Sequence, residues 1–105
     1  MIKYSGKKEE VGPCRIFVEA DGQINRLKHI ERHSPDGMQM GYSGSGCADT
    51  ALSILHDFCQ RTGINSQVAE EYYQTFKSHF IAKCKDGLSI TGEEIENWMK
   101  LGGIV

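Results

Sequence analysis

The chain has 105 residues, with 12 lysines and arginines against 14 aspartates and glutamates, so its formal net charge is −2. Apolar residues make up 39% and charged residues 25%, a composition typical of a soluble globular domain. This length fits one domain over residues 1–105 and is too short for a two-domain enzyme or a barrel. No apolar run approaches the roughly 20 residues that span a bilayer. The polar start contains no secretory signal, so we expect a cytoplasmic protein.

Neither the cysteines nor the charges indicate a special class of protein. Cys14, Cys47, Cys59 and Cys84 form no C-x-x-C pair, and we expect them to be free structural thiols. Residues 1–35 hold 7 basic and 5 acidic side chains, and residues 36–105 hold 5 and 9. The sequence therefore shows no strong nucleic-acid footprint and predicts no membrane partner.

The first third of the chain predicts β-structure. Residues 15–20 are rich in β-branched and aromatic side chains, Asp21-Gly22 is a strong hairpin signal, and residues 23–27 form the return strand. A strict two-residue turn pairs Phe17 with Arg26 and Glu19 with Ile24, but this pairing mixes polar and apolar residues on one face, so the sequence leaves the register open. Residues 2–4 are predicted as a short edge strand, and residues 38–42 as a further strand after the turn at 34–37.

The remainder predicts three helices. Apolar residues recur at helical spacing from Ala48 to Cys59, with polar side chains such as Asp49 and Ser53 on the opposite face and Gly63 as the stop. A second helix is predicted over residues 66–83, with an aromatic stripe. A third begins at the capping box formed by Thr91 and Glu94 and ends at residues 102–103.

Strands followed by helices indicate an α+β fold. We expect a small antiparallel β-sheet from the N-terminal half, packed against two amphipathic helices and closed by a short C-terminal helix.

A glycine- and serine-rich loop leads into the first predicted helix. Its candidate ligand-binding residues are Tyr42, Ser43, Gly44, Ser45 and Gly46. A glycine-rich loop that ends at a helix start brings free N–H groups together, and such an arrangement binds anions. The alternative is a tight turn whose serines only cap the helix.

The segment from His33 to Leu55 contains the pattern H-S-P-x-G…G-Y-x-G-S-G-x-A-x-x-A-L-x-I-L. This pattern resembles the signature of a family of small uncharacterised proteins of bacteria, phages and mobile elements, catalogued as a domain of unknown function. The resemblance extends from residues 4–6 to the tail near Trp98. The chain departs from it at Met38 and Met40, where aromatic residues are usual, and at Cys47, where proline is usual.

Cys47 is a candidate reactive thiol, since a thiol at a helix start can have a lowered pKa. No base for it is evident. Adjacent helical residues such as His56 and Asp57 point about 100° apart and do not orient each other. We therefore name no catalytic residue.

His29 and His33 have the i, i+4 spacing of a helical metal site, but Pro35 disfavours a helix there, and we expect no metal. No cofactor is expected either.

Three functions remain open, and none depends on a recognised catalytic set. The phage and mobile-element setting implied by the resemblance favours a non-enzymatic interaction protein that binds a host protein or ribonucleoprotein, for example as an anti-CRISPR inhibitor of a defence nuclease. The first alternative is a module that binds a phosphate-bearing ligand through residues 41–46. The second is a thiol-dependent enzyme that uses Cys47.

Overall fold

The computed structural model describes residues 1–105 and confirms the α+β class. Four antiparallel strands form one sheet in the order β3-β2-β1-β4. The strands are β1 (Ile2–Lys7), β2 (Arg15–Ala20), β3 (Gln23–Arg26) and β4 (Leu88–Thr91). The helices are α1 (Ser45–Thr62), α2 (Gln67–Phe76), which continues as a π-helical turn (Lys77–Ile81), and α3 (Gly92–Leu101).

The β2–β3 hairpin forms as the turn chemistry predicts. Asp21 and Gly22 have φ angles of 54° and 77°, the two positive values that a type I′ turn requires. The register, which the sequence left open, is the one that a strict two-residue turn gives, because Phe17 lies opposite Arg26 and Glu19 lies opposite Ile24.

The first strand is longer than predicted and is not at the edge of the sheet. β1 pairs with β2 on one side and with β4 on the other, where Tyr4 lies opposite Ile90. The prediction missed β4 because this strand is short and runs directly into a helix. Thr91 is both its last residue and the N-cap of α3, where the predicted capping box with Glu94 is confirmed.

The strand predicted over residues 38–42 is wrong, and this segment is irregular. Its backbone hydrogen bonds go to three separate partners, at Cys14, Gly46 and Ile81, so no ladder can form. The alternation that suggested a strand arises because Met38 and Met40 both enter the core.

The first helix starts three residues before the predicted apolar face and ends, as predicted, at Gly63. Asp49 and Ser53, which helical periodicity places opposite the apolar face, are nevertheless buried together with Thr50. The reason is tertiary: residues 30–34 pack over this side of α1 and donate backbone N–H groups to it.

The second predicted helix is interrupted, since α2 ends at Phe76 and the chain continues as the π-helical turn. Of the aromatic stripe, Phe76 is buried in the core, Tyr73 and Phe80 are half-buried against it, and Tyr72 is half-buried outside it. The ring of Phe76 lies 4.7 Å from that of Phe80 and 5.3 Å from that of Trp98, centroid to centroid.

Candidate functional site

The family-like segment folds around one buried carboxylate. Asp49, in the second turn of α1, has no solvent exposure. Its oxygens accept hydrogen bonds from the backbone N–H groups of His33 at 2.9 Å and Ser34 at 3.0 Å, and from that of Arg32 at 3.2 Å. The ring nitrogen Nε2 of His29 lies 2.8 Å from Oδ2 and donates to it, since a carboxylate only accepts. Asp49 thereby fixes an irregular segment that has no secondary structure of its own.

These contacts also decide the charge of Asp49. Burial acts to raise the pKa of this carboxyl, but the hydrogen bonds from His29 and from three backbone N–H groups hold the pKa below its usual range. The carboxylate therefore stays ionised inside the protein, where hydrogen bonds to a charged group are stronger than those between neutral groups.

A second carboxylate links the same segment to α2. Glu70 accepts two hydrogen bonds from the guanidinium of Arg32, and one from His56 Nε2 at 2.6 Å. The Arg32 guanidinium, and then His56, lower the pKa of Glu70. His33 adds a further link, because its Nε2 lies 2.6 Å from the hydroxyl of Tyr73.

The histidines considered in the sequence therefore serve separate contacts. Residues 29–33 are not helical, so the i, i+4 spacing of His29 and His33 does not bring them to one face. His56 and the neighbouring Asp57 also diverge. His56 binds Glu70, whereas Asp57 accepts from Tyr4 at 2.7 Å and from Arg61 at 2.8 Å. No group of three or more His, Cys, Asp or Glu side chains is arranged to hold a metal ion.

The predicted ligand-binding residues form the tip of the loop and the first turn of α1. Tyr42 is 46% exposed, and its ring occupies the space that a Cβ on Gly44 would need. The Lys8 ammonium lies 5.7 Å from the centre of this ring. Ser43 and Ser45 are exposed, and neither side chain caps the helix. The alternative in which these serines cap the helix is therefore wrong.

The helix start itself is partly covered. Within the protein, no group accepts from the N–H groups of Ser45, Gly46 and Cys47. Gly46 and Cys47 are nevertheless buried, and a Cβ on Gly46 would lie 2.8 Å from the side chain of Gln39. Glycine is needed there because Gln39 packs directly on the helix. The exposed part of the site is thus Tyr42, Ser43 and Ser45.

Sequence reasoning missed the role of Asp49 and Glu70. One signal was present: Asp49, Thr50 and Ser53 interrupt a run of small and apolar residues within α1. Periodicity placed Asp49 and Ser53 on the polar side of the helix, although polar residues in such a run also mark a helix that another segment covers. Thr50 confirms this role, since its hydroxyl donates to the carbonyl of Gln39 at 2.7 Å.

Comparison with known proteins gives a family and no activity. The model of a family of unknown function (DUF6166) matches residues 4–101, so the chain belongs to this family. No curated protein matches the chain, and no solved structure does. None of the helices combines the length and the apolar content needed to cross a membrane.

Proposed function

We propose that this chain is a non-enzymatic interaction protein that docks on a larger partner through the tip formed by Tyr42, Ser43 and Ser45. The observation that carries the proposal is the exposure of this tip beside a segment that hydrogen bonds fix to α1. Thr50 on α1 fixes Gln39, and the N–H of Gln39 donates to the carbonyl of Gly46 at 3.1 Å. A loop held in one conformation loses little entropy on binding, which favours affinity.

The tip has the composition of a binding surface. Tyr42 offers a large ring and a hydroxyl, and tyrosine is enriched at the centres of protein interfaces. The serine hydroxyls next to it are free to bond to a partner. The phage and mobile-element setting of the family resemblance supports a narrower form of the proposal, in which the partner is a host-defence nuclease that this protein inhibits.

The proposal is tested with a panel of purified CRISPR nuclease complexes, by measuring both binding to immobilised protein and target cleavage. We expect one member to be bound and inhibited. The Tyr42→Ala variant should weaken that binding roughly tenfold, as truncating a central interface tyrosine does. Tyr72→Ala, which removes the same side chain from α2, is the matched control and should bind as the wild type does. Absence of binding across the panel, or equal binding by Tyr42→Ala, contradicts the proposal.

A second candidate, binding of a phosphate-bearing ligand at the same tip, is favoured by one contact. The Lys8 ammonium lies 5.7 Å from the centre of the Tyr42 ring, so a cation stands against the aromatic residue of the tip. Thermal unfolding with inorganic phosphate, nucleotides and cyclic dinucleotides tests this candidate. A true ligand at 100 times its Kd adds about 2.7 kcal/mol. Lys8→Gln should reduce that gain, and the absence of any shift eliminates the candidate.

A further inference from the structure

The helices leave one face of the sheet uncovered. Tyr4, Ile16 and Val18 point into the core beneath the helices. Because successive strand residues point to opposite faces, their neighbours point outward. This outer face carries Lys3, Lys7, Arg15, Phe17, Glu19 and Arg26.

The outer face is cationic, although the chain as a whole is anionic. Its strands hold four of the 12 basic residues and one of the 14 acidic ones. Glu9, from the loop after β1, adds a second carboxylate at its edge. The net charge of −2 thus conceals a local excess of positive charge, which the alternation of strand residues produces.

Phe17 is the one aromatic side chain on this cationic face. It is half-buried and lies directly between Ser5 on β1 and Arg26 on β3. Serine is too small to cover the ring from its side. Beside Phe17 is an open depression of about 480 Å³, which Lys7 and Arg15 also line.

Two of the cations face each other unfavourably. Lys7 lies directly opposite Arg15 across β1 and β2, and like charges at such positions destabilise a sheet. Glu9 approaches Arg15 at 3.2 Å, and this exposed pair provides only one carboxylate for two cations. A bound polyanion would supply the missing charge.

We propose that this outer face binds single-stranded nucleic acid. Phe17 stacks on an unpaired base, and Lys7, Arg15 and Arg26 contact the phosphates around it. Cations that follow a backbone, combined with an aromatic ring on which a base stacks, make up the usual single-strand binding surface. A duplex hides the faces of its bases, and an acidic protein has no base to stack. Both therefore fit this surface less well. The proposal does not depend on the Tyr42 tip.

Fluorescence anisotropy with labelled 12-nucleotide oligouridylate and oligothymidylate, at several salt concentrations, tests the proposal. We expect the single strands to bind roughly tenfold more tightly than a duplex of equal length. With three phosphate contacts, the logarithm of the association constant should fall with the logarithm of salt concentration with a slope of about −2.

Four variants separate stacking, charge and folding. Phe17→Leu keeps an apolar side chain but removes the ring, and should bind roughly tenfold more weakly. Phe17→Tyr keeps the ring and should bind as the wild type does. Arg26→Gln should reduce the salt slope by about 0.7. Lys100→Gln removes an exposed cation from α3 and should change nothing.

Two results would overturn the proposal. One is the absence of single-strand binding by the folded wild type at 50 mM salt. The other is binding that Phe17→Leu leaves unchanged and that polyglutamate displaces as well as an unlabelled oligonucleotide does. That result would assign the face to an acidic protein. Tyr42→Ala should leave oligonucleotide binding within about twofold of the wild type, so this proposal and that for the tip fail separately.

Discussion

The loop over α1 and the outer face of the sheet use polar side chains in opposite ways. In the loop the polar groups turn inward: Asp49 is 0% exposed and receives four N–H donors. On the outer face they turn to solvent, and the Arg15 side chain is 63% exposed. The buried residues of the family-like motif therefore stabilise the fold. Binding functions are better sought among the exposed residues of the motif and on the outer face of the sheet.

Among the variants that test this contrast, Asp49→Asn should lower the free energy of unfolding the most. This change removes the buried charge while the three backbone donors and His29 remain, so we expect a loss of about 3 kcal/mol in the free energy of unfolding. Urea denaturation measures the loss. Asp36→Asn, the same change at an exposed position of the same loop, should alter stability by less than about 0.5 kcal/mol. Equal effects of the two variants would refute a folding role for the buried carboxylate.

Acid should lower the free energy of unfolding, because two carboxylates that hold the loop become protonated. The pKa values of Asp49 and Glu70 are both lowered in the folded protein. Unfolded carboxyls titrate at about 4, so the stabilisation is fully present above that pH and is lost as the pH falls through the folded values. Urea midpoints from pH 6 to pH 3 should fall less steeply for Asp49→Asn than for the wild type. Parallel curves would contradict this linkage.

Glu70→Gln should have a smaller effect than Asp49→Asn. Its side chain is 31% exposed, and water screens its contacts with Arg32 and His56, so we expect a loss of about 1 kcal/mol. Glu71→Gln, at the exposed neighbouring position on α2, is the control and should be near neutral. If Glu70→Gln proved as damaging as Asp49→Asn, the distinction between a buried anchor and a surface link would fail.

The rates at which the four thiols are alkylated test whether the start of α1 is buried. Cys84 is partly exposed, whereas Cys14, Cys47 and Cys59 are buried. A mild reagent at pH 7 should label Cys84 roughly tenfold or more faster than the other three, which react only after local opening. Fastest labelling at Cys47 would instead favour the thiol-dependent enzyme considered from the sequence.

Local structure could be predicted from the sequence, whereas contacts between distant segments could not. The Asp21-Gly22 hairpin and the Thr91–Glu94 capping box each involve residues a few positions apart, and both are confirmed. The pairing of β4 with β1 spans most of the chain, and no local pattern indicates it.

The same distinction between local and distant contacts separates the predictable and unpredictable parts of the candidate site. The exposed tip at Tyr42 and Ser43 follows from a glycine-rich turn that the sequence displays. The burial of Asp49 depends on residues 15 to 20 positions earlier in the chain. The hairpin turn was predictable, but the sequence left open the register that places Phe17 beside Arg26, and the position of Phe17 on the uncovered face required the location of the helices.

Amide hydrogen exchange tests the central claim, that Asp49 holds an irregular loop as firmly as a helix is held. We predict that the N–H groups of His33 and Ser34 exchange as slowly as that of Leu52, in the middle of α1. Val11 is 90% exposed, lies outside every helix and strand, and should exchange much faster. Exchange at His33 and Ser34 as rapid as at Val11 would contradict the account.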